Sequence, residues 1–266
     1  MRILVCIKQV PSTDKVEIDP KTGVIMRAGL EGKLNPYDEY AVETALNIRA
    51  AVAGSTITAL TMGTPDSEAI LREAYAMGVD EAILLTDRAL AGSDVLATSY
   101  ALSQAIRAKG PFDIIICGRQ TTDGDTAQVG PALAEQLGMP HVSWVRRILN
   151  VNERRIVVEQ DMLNLTADAE MSYPCLITVE KGIFRPRLPS YRLMVKTRDR
   201  PIARLGLADL VDTDPAHYGL NGSPTQVERI FPPEMGPPPE MFTGSGEAVA
   251  ARLYDKLVEL KLLVRE

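Results

Sequence analysis

The sequence predicts an α/β protein built on an open, mostly parallel sheet with helices on both faces. Three observations carry that expectation. Short runs of branched apolar residues alternate with amphipathic helical stretches through the first half of the 266-residue chain. The helical stretches end at glycines. The first strand-like run, "RILVCIKQV", is short, β-branched and apolar, as strands in the middle of a parallel sheet are. Alternation of this kind implies right-handed crossovers, with ligands seated beyond the carboxyl ends of the strands.

The first such run is "RILVCIKQV", residues 2–10, which stops at Pro11. "VEIDPKTGVIM", residues 16–26, alternates around a Pro20 to Gly23 turn cluster and predicts a surface hairpin. "LNPYDEYAVETALNIRAAVAG" predicts a helix. Asn35 suits the N-cap, Pro36 the first position and Asp38 and Glu39 the positive end; Ala41, Val42, Ala45, Leu46 and Ala53 form the apolar stripe, and Gly54 the stop. "STITALTMG" is the second strand. Thr64 and Pro65 open a helix that turns Ala69, Ile70, Ala74 and Met77 inward and ends at Gly78. "EAILLTD" is the third strand, followed by a helix that starts at Ser93/Asp94 and stops at Gly110. "FDIIICG" is the fourth, and the polar loop after it leads into a helix with Ala132, Leu133 and Leu137 inward and Gly138 at its end.

After Trp144 the period changes to that of short antiparallel strands, with turns at Asn152/Glu153 and near Asp161/Asn164, so hairpins extending the sheet are expected in place of further crossovers. From Pro201 the chain is rich in proline and glycine and resists regular packing. It closes with an amphipathic helix whose stripe is Val249, Leu253, Leu257, Leu260 and Leu263, the build of a tail that lies along a second subunit or its own body. This predicts a main α/β domain over residues 1–200 and a C-terminal arm and helix over 201–266.

Composition narrows the function. Hydrophobic residues make up 45% and charged residues 24%, as in a soluble globular protein, and a net charge of -6 disfavours nucleic acid as a partner. No apolar run is long enough to cross a bilayer, and residues 1–11 hold too short an apolar core for a signal peptide, so a cytoplasmic location is expected. Cys6, Cys117 and Cys175 lack metal or redox spacing and read as buried small hydrophobes. His141 and His217 are the only histidines, and no nucleophile elbow, zinc-protease motif, P-loop or GxGxxG fingerprint is present. No catalytic or metal-binding side chain is assigned, which leaves the chemistry to a cofactor.

The loop in "CGRQTTDGDTAQVGPALAEQLG" is the segment to weigh. Counted from Asp123, the fifth, sixth and twelfth positions, which call for a ligand, a glycine and a bidentate Glu, carry Ala127, Gln128 and Ala134, which rules out a calcium loop of the EF-hand kind. Two readings stay open. One is a plain Gly/Asp turn. The other is a phosphate cradle, in which backbone N–H groups and the helix dipole hold the anion, Thr126 and Gln128 donate further bonds and Arg119 supplies charge. Asp123 and Asp125 would repel phosphate directly and are expected to bond the loop's own backbone or a ribose hydroxyl.

"ILVCIKQVP", "LNPYDEYAVETAL", "GRQTTDGDTAQVGP" and "YPCLITVEKGIFRPRLPS", in this order over about the first two hundred residues, resemble the beta subunit of electron transfer flavoprotein. The resemblance implies an adenine-nucleotide-binding, Rossmann-like sheet and an alpha subunit carrying its own FAD. The positions it marks for the nucleotide are Cys6, Asn35, Tyr37, Asp38, Met62, Cys117, Gly118, Arg119, Gln120, Asp123, Gly124, Asp125, Thr126, Gln128 and Val129. A partner-recognition loop near residues 184–200 would present Leu188 to a dehydrogenase of the acyl-CoA or 2-hydroxy-acid type, with the terminal helix against the alpha subunit.

"NPYDEYAVE", "DGDTAQVGP" and "AGSDVLATS" look like the anaerobic, bifurcating version of the family, in which Asp94 and Thr98 lie beside a second FAD that accepts hydride from NADH. The alternative is an AMP-binding, non-bifurcating carrier. Two departures from the family's pattern are residues 161–164 with Ala169, and the diluted basic run "KTRDR". An ATP-pyrophosphatase lacks support because no SGGxDS-like loop follows the first strand; a homodimeric nucleotide sensor remains the competing class.

Overall fold

The computed structural model describes residues 1–12, 32–228 and 238–263. The hairpin expected over residues 16–26 lies outside them. The chain divides into two compact units, Met1–Glu228 and Arg229–Glu266.

The first unit begins with β1 (Arg2–Cys6), β2 (Gln9–Pro11), β3 (Gly32–Leu34), α1 (Pro36–Ala51), β4 (Thr56–Met62), α2 (Glu68–Met77), β5 (Glu81–Leu85), α3 (Val95–Lys109), β6 (Ile114–Gly118) and α4 (Val129–Leu137). It continues with β7 (His141–Val151), β8 (Arg155–Asp161), β9 (Thr166–Ser172), β10 (Cys175–Val179), α5 (Tyr191–Lys196) and β11 (Ala203–Leu205). Among the described residues a nine-stranded sheet runs β11-β5-β4-β1-β6-β10-β7-β8-β9. Strands β11 to β7 pair in parallel, and β7–β8 and β8–β9 are antiparallel. The α/β expectation, with its hairpin extension, therefore describes the fold.

Alternate residues of the central strands feed two cores. Ile3, Val5, Ile57, Ala59, Ile114 and Ile116 pack with α1 and α2 on one face. Leu4, Leu60, Ile115 and Cys117 pack with α3 and α4 on the other. Each fully buried Leu or Ile contributes about 1.5–3 kcal/mol relative to exposure, so the central strands are the most strongly anchored part of the sheet. Gly78 and Gly138 act as the helix stops read from the sequence, adopting left-handed φ of 118° and 65° and closing α2 and α4, whereas α1 ends at Ala51 with Val52 as its cap, before Gly54.

Several local expectations change. The run over residues 2–10 is two strands, because the chain leaves the sheet after Cys6 and β2 pairs with β3 as a separate ribbon. Ala53 is exposed, since α1 ends at Ala51; Ile48 and Val52 continue its buried stripe. A 3-10 turn at Pro65–Ser67 precedes α2, leaving Ala69 exposed and Leu71 buried. In α4, Ala134 is buried and Ala132 only half-buried.

β10 is not another hairpin strand: it returns between β6 and β7, parallel to both. All five of its residues are buried, the pattern of an interior parallel strand. Past Pro201, where composition predicts irregular chain, β11 adds a parallel edge strand to β5. In the second unit, α6 (Gly246–Glu259) starts at a Ser245 N-cap that accepts from Ala248 N and buries none of its residues.

Candidate functional site

From β1 the chain builds β4 and β5 on one side, then crosses to β6 on the other. Strand order reverses between β1 and β6, and the crevice at their carboxyl ends is where doubly wound sheets take ligands. Three segments converge there: the residues after β1, the N-terminus of α1 and the loop 119–128.

Cys6 and Cys117 are register partners on β1 and β6. The Cys6 thiol bonded to it, together with burial, holds the Cys117 thiol well above its usual pKa, so it packs as a protonated small hydrophobe. Half-buried Met62, at the end of β4, packs against the same core.

Gly118 ends β6 with no space for a side chain. A Cβ there would lie 2.4 Å from Asp38 Oδ1 and 2.7 Å from the Tyr37 carbonyl carbon, so the first turn of α1 is seated directly on the strand end. Asp38 is buried, and its Oδ2 accepts from Lys8 N at 2.7 Å. Burial pushes its carboxyl up to about 7, against hydrogen bonds from the Asn35 side chain and the Lys8 and Gly118 backbone.

Asn35 occupies the N-cap position of α1, but its side chain does not cap the helix. Its Nδ2 donates to Gln120 O at 2.9 Å and its Oδ1 accepts from Thr122 N at 3.3 Å, so the buried amide ties α1 to the loop. This is a correction to the capping role expected of it: two backbone groups of the loop lie across from the side chain and take its hydrogen bonds.

The loop's carboxylates have local partners. Lys8 Nζ reaches both Asp123 oxygens, at 2.7 and 2.8 Å. Burial disfavours the Asp123 charge, and the Lys8 bond overcomes this and holds the carboxyl below its usual range. Asp125 accepts from the Gln120 side chain, and its N–H donates to Thr121 O. Arg119 is turned away from the loop: Nη1 contacts both Glu180 oxygens at 3.0 and 2.9 Å, and the guanidinium lies 4.5 Å over the Trp144 ring. Among the described residues, Lys8 supplies the cation paired to the loop.

Asp125 and Ala127 have φ of 51° and 55°, a conformation costing a non-glycine residue about 1–3 kcal/mol. Gln128 follows Ala127 in the right-handed region, with φ -112° and ψ -21°. A left-handed residue followed by a right-handed one turns successive N–H groups into a single concavity, the backbone form that receives an anion. Thr126 and Gln128 are exposed beside it, as is Gly124. Gly130 allows α4 to press on β10, since a Cβ there would meet the Thr178 methyl at 2.4 Å. Val129 packs into the core beneath.

Asp94 and Thr98 open α3. Asp94 Oδ1 accepts from Ala97 N at 3.0 Å, and Oδ2 from Thr225 N and Oγ1 at 3.1 and 2.7 Å. Burial works to raise its pKa, but these bonds outweigh it and hold the carboxyl below its usual value. Thr98 is half-exposed one turn on. Leu188 stands 87% exposed on a segment fastened at either side. Arg187 grips buried Glu43 of α1 through Nε and Nη2, both at 2.8 Å, and Ser190 N donates to Ala76 O.

Sequence reading placed Lys8 only within the post-strand span Cys6 to Gln9, without a role, and did not single out Trp144 or Glu43. The signal for Lys8 was its place just past β1. Trp144, with φ of 59° at the register shift between β7 and β10, left no sequence signal of that conformation.

The architecture is that of an open α/β subunit with a strand-end crevice. A family model described as "Electron transfer flavoprotein domain" matches residues 22–210. The chain is 43% identical to "Electron transfer flavoprotein subunit beta" of Megasphaera elsdenii, over 99% of this chain and 100% of the relative. It is 42% identical to "Caffeyl-CoA reductase-Etf complex subunit CarD" of Acetobacterium woodii, over 99% and 100%. Protein FixA of Sinorhizobium fredii is 42% identical, over 88% of this chain and 84% of the relative. The chain belongs to the electron transfer flavoprotein family, with beta subunits among its relatives. No helix among the described residues is long and apolar enough to cross a membrane.

Proposed function

We propose that this chain is the beta subunit of a cytoplasmic, heterodimeric electron transfer flavoprotein and binds FAD in the crevice between β1 and β6. The observation that carries the reading is the conformation of residues 125–128 at the switch point: two left-handed non-glycine residues precede α4, and Lys8 stands beside the loop. Such a backbone suits the diphosphate of a dinucleotide, and the glycine at 118 lets α1 close on the strand end.

In this reading residues 118–129 hold the diphosphate, with Thr126 and Gln128 donating from the exposed side. Cys6, Asn35, Tyr37, Asp38, Met62 and Cys117 border the crevice, and Asp94 and Thr98 flank it from α3. The flavin, when bound, supplies hydride acceptance from NADH and one-electron transfer, and no acid–base side chain of this chain is required. The chain's own contribution is to bind, orient and electrostatically tune that group. With FAD bound here and in an alpha subunit, the pair would supply the redox chemistry of a carrier or, with bifurcation, of a two-acceptor system, while this chain's residues hold and orient the nucleotide. Leu188 supplies an exposed apolar anchor for a dehydrogenase, a kind of partner supported by the reductase complex named for the Acetobacterium relative.

The test is to denature the purified heterodimer and count released nucleotides. Two FAD per heterodimer is the expected result. One FAD with one AMP makes the protein a simple carrier, and release of neither flavin nor AMP from this subunit overturns the reading.

A further inference from the structure

The acid that links the two strand ends of the crevice is buried beneath the proposed nucleotide site. Asp38 is 4% exposed. It is bonded to Lys8 N, just past β1, and to the backbone of Gly118, at the end of β6. Its carboxylate therefore lies under the two segments that any ligand of the switch point must contact, and Gly118 leaves it no room to move toward β6.

Among the described residues the groups around it are few. From the β1 side they are Cys6 and Lys8; from β6, Cys117, whose thiol is raised in part by the Asp38 charge. Tyr37 and Glu39 adjoin it on its own helix, β4 ends on uncharged Met62, and β10 leads to Glu180, which is occupied with Arg119. From the loop, Asp123 takes the Lys8 ammonium. Among the described residues, the cation nearest to Asp38, Lys8, is thus shared with a second carboxylate, and an incoming phosphate adds a third claim on it.

We infer that Asp38 is a positioning residue that takes up a proton when the nucleotide binds, so that a neutral acid, and not a buried carboxylate, underlies the bound diphosphate. Phosphate negative charge disfavours ionisation of a desolvated neighbouring acid, and by linkage protonation of that acid favours phosphate. Burial already brings the Asp38 carboxyl to about 7, where a modest added charge shifts its proton occupancy. Asp38 acts through the Lys8 and Gly118 backbone.

This inference rests on the nucleotide reading, and its test separates the two. Flavin-depleted heterodimer is titrated with FAD by calorimetry at about pH 7.5 in buffers of different ionisation enthalpy; the FAD diphosphate is a diester with no group titrating near neutrality. Wild type is expected to take up a substantial fraction of one proton, and its affinity to fall by up to about tenfold per pH unit above neutrality. Asp38→Asn keeps an acceptor for Lys8 N and is expected to bind without uptake and with a flat pH profile. Should that variant misfold, FAD-induced infrared difference spectra of wild type supply the readout, as a gained protonated-carboxyl stretch. Failure of wild type to bind FAD overturns the nucleotide reading and the inference with it. Binding without proton uptake, uptake that persists in Asp38→Asn, or spectra without the carboxyl band overturns the inference alone.

Discussion

Lys8 and Asp123 are 115 residues apart in sequence and meet through one ammonium and both carboxylate oxygens, at 2.7 and 2.8 Å. The pair fastens the loop after β6 to the residues after β1, across the point where strand order reverses. Its two side chains are 45% and 31% exposed, so its contribution to stability is that of a surface ion pair, about 0–1 kcal/mol. Lys8→Ala is accordingly expected to leave the urea midpoint nearly unchanged while weakening FAD binding about tenfold, with a smaller salt dependence. Equal affinity and equal salt slope in variant and wild type would remove Lys8 from the site.

Gly118→Ala places a methyl group against Asp38 and the Tyr37 backbone. Neither neighbour is a flexible chain end, so the helix must lift from the strand. A loss of about 1–3 kcal/mol in urea unfolding is expected, with reduced flavin retention. Wild-type stability in this variant would show that the contact relaxes freely.

Glu43 makes a prediction about the exposed loop. Burial opposes its charge, but Arg187 and Asn47 overcome this and hold its carboxyl below the usual range. The sign follows: this interaction is complete above the unfolded pKa and is lost as pH falls through the lower folded value. Glu43→Ala is expected to speed tryptic cleavage after Arg187 several-fold and to weaken coupling to a dehydrogenase, with flavin content preserved. Unaltered cleavage would mean that the loop holds its shape without the tether.

Asp38 predicts the opposite pH trend. Its folded pKa of about 7 lies above the unfolded 3.8, so the folded state binds the extra proton between them. The stabilisation is full below the lower value and declines as pH rises through the higher one. Between about pH 6 and pH 8 the loss is ~1 kcal/mol. Urea titrations at the two pH values measure it, and Asp38→Asn is expected to flatten the difference.

Deleting the terminal helix from Glu247 is expected to leave the unfolding of the first unit unchanged, because α6 buries no residue of its own. Leu253 and Tyr254 are each 46% exposed, an apolar surface that the proposed contact with an alpha subunit would cover. Weakened co-elution of the heterodimer is the expected result; unchanged co-elution would reject that contact.

The parallel core was legible because Leu4, Ile115 and their neighbours write both buried faces into continuous apolar runs. β10 carried the same signal, but its position after two hairpins suggested a third; long-range pairing with β6 decides its place. The site was legible in outline, since residues following strands lie at the sheet's carboxyl edge. Its wiring was not. Whether Asn35 caps its helix or reaches Gln120, and whether Arg119 faces the loop or stacks on Trp144, depends on side-chain directions that no spacing encodes.

The sheet's two margins carry a final consequence. One is β11, only three residues long; the other is β9, whose outward positions include Asp168 and Glu170. Short length and charged edge side chains, Glu170 among them in an ion pair with Arg155, both discourage another chain from adding a strand. Assembly with further polypeptides is thereby directed to side-chain surfaces and away from continuation of the backbone ladder.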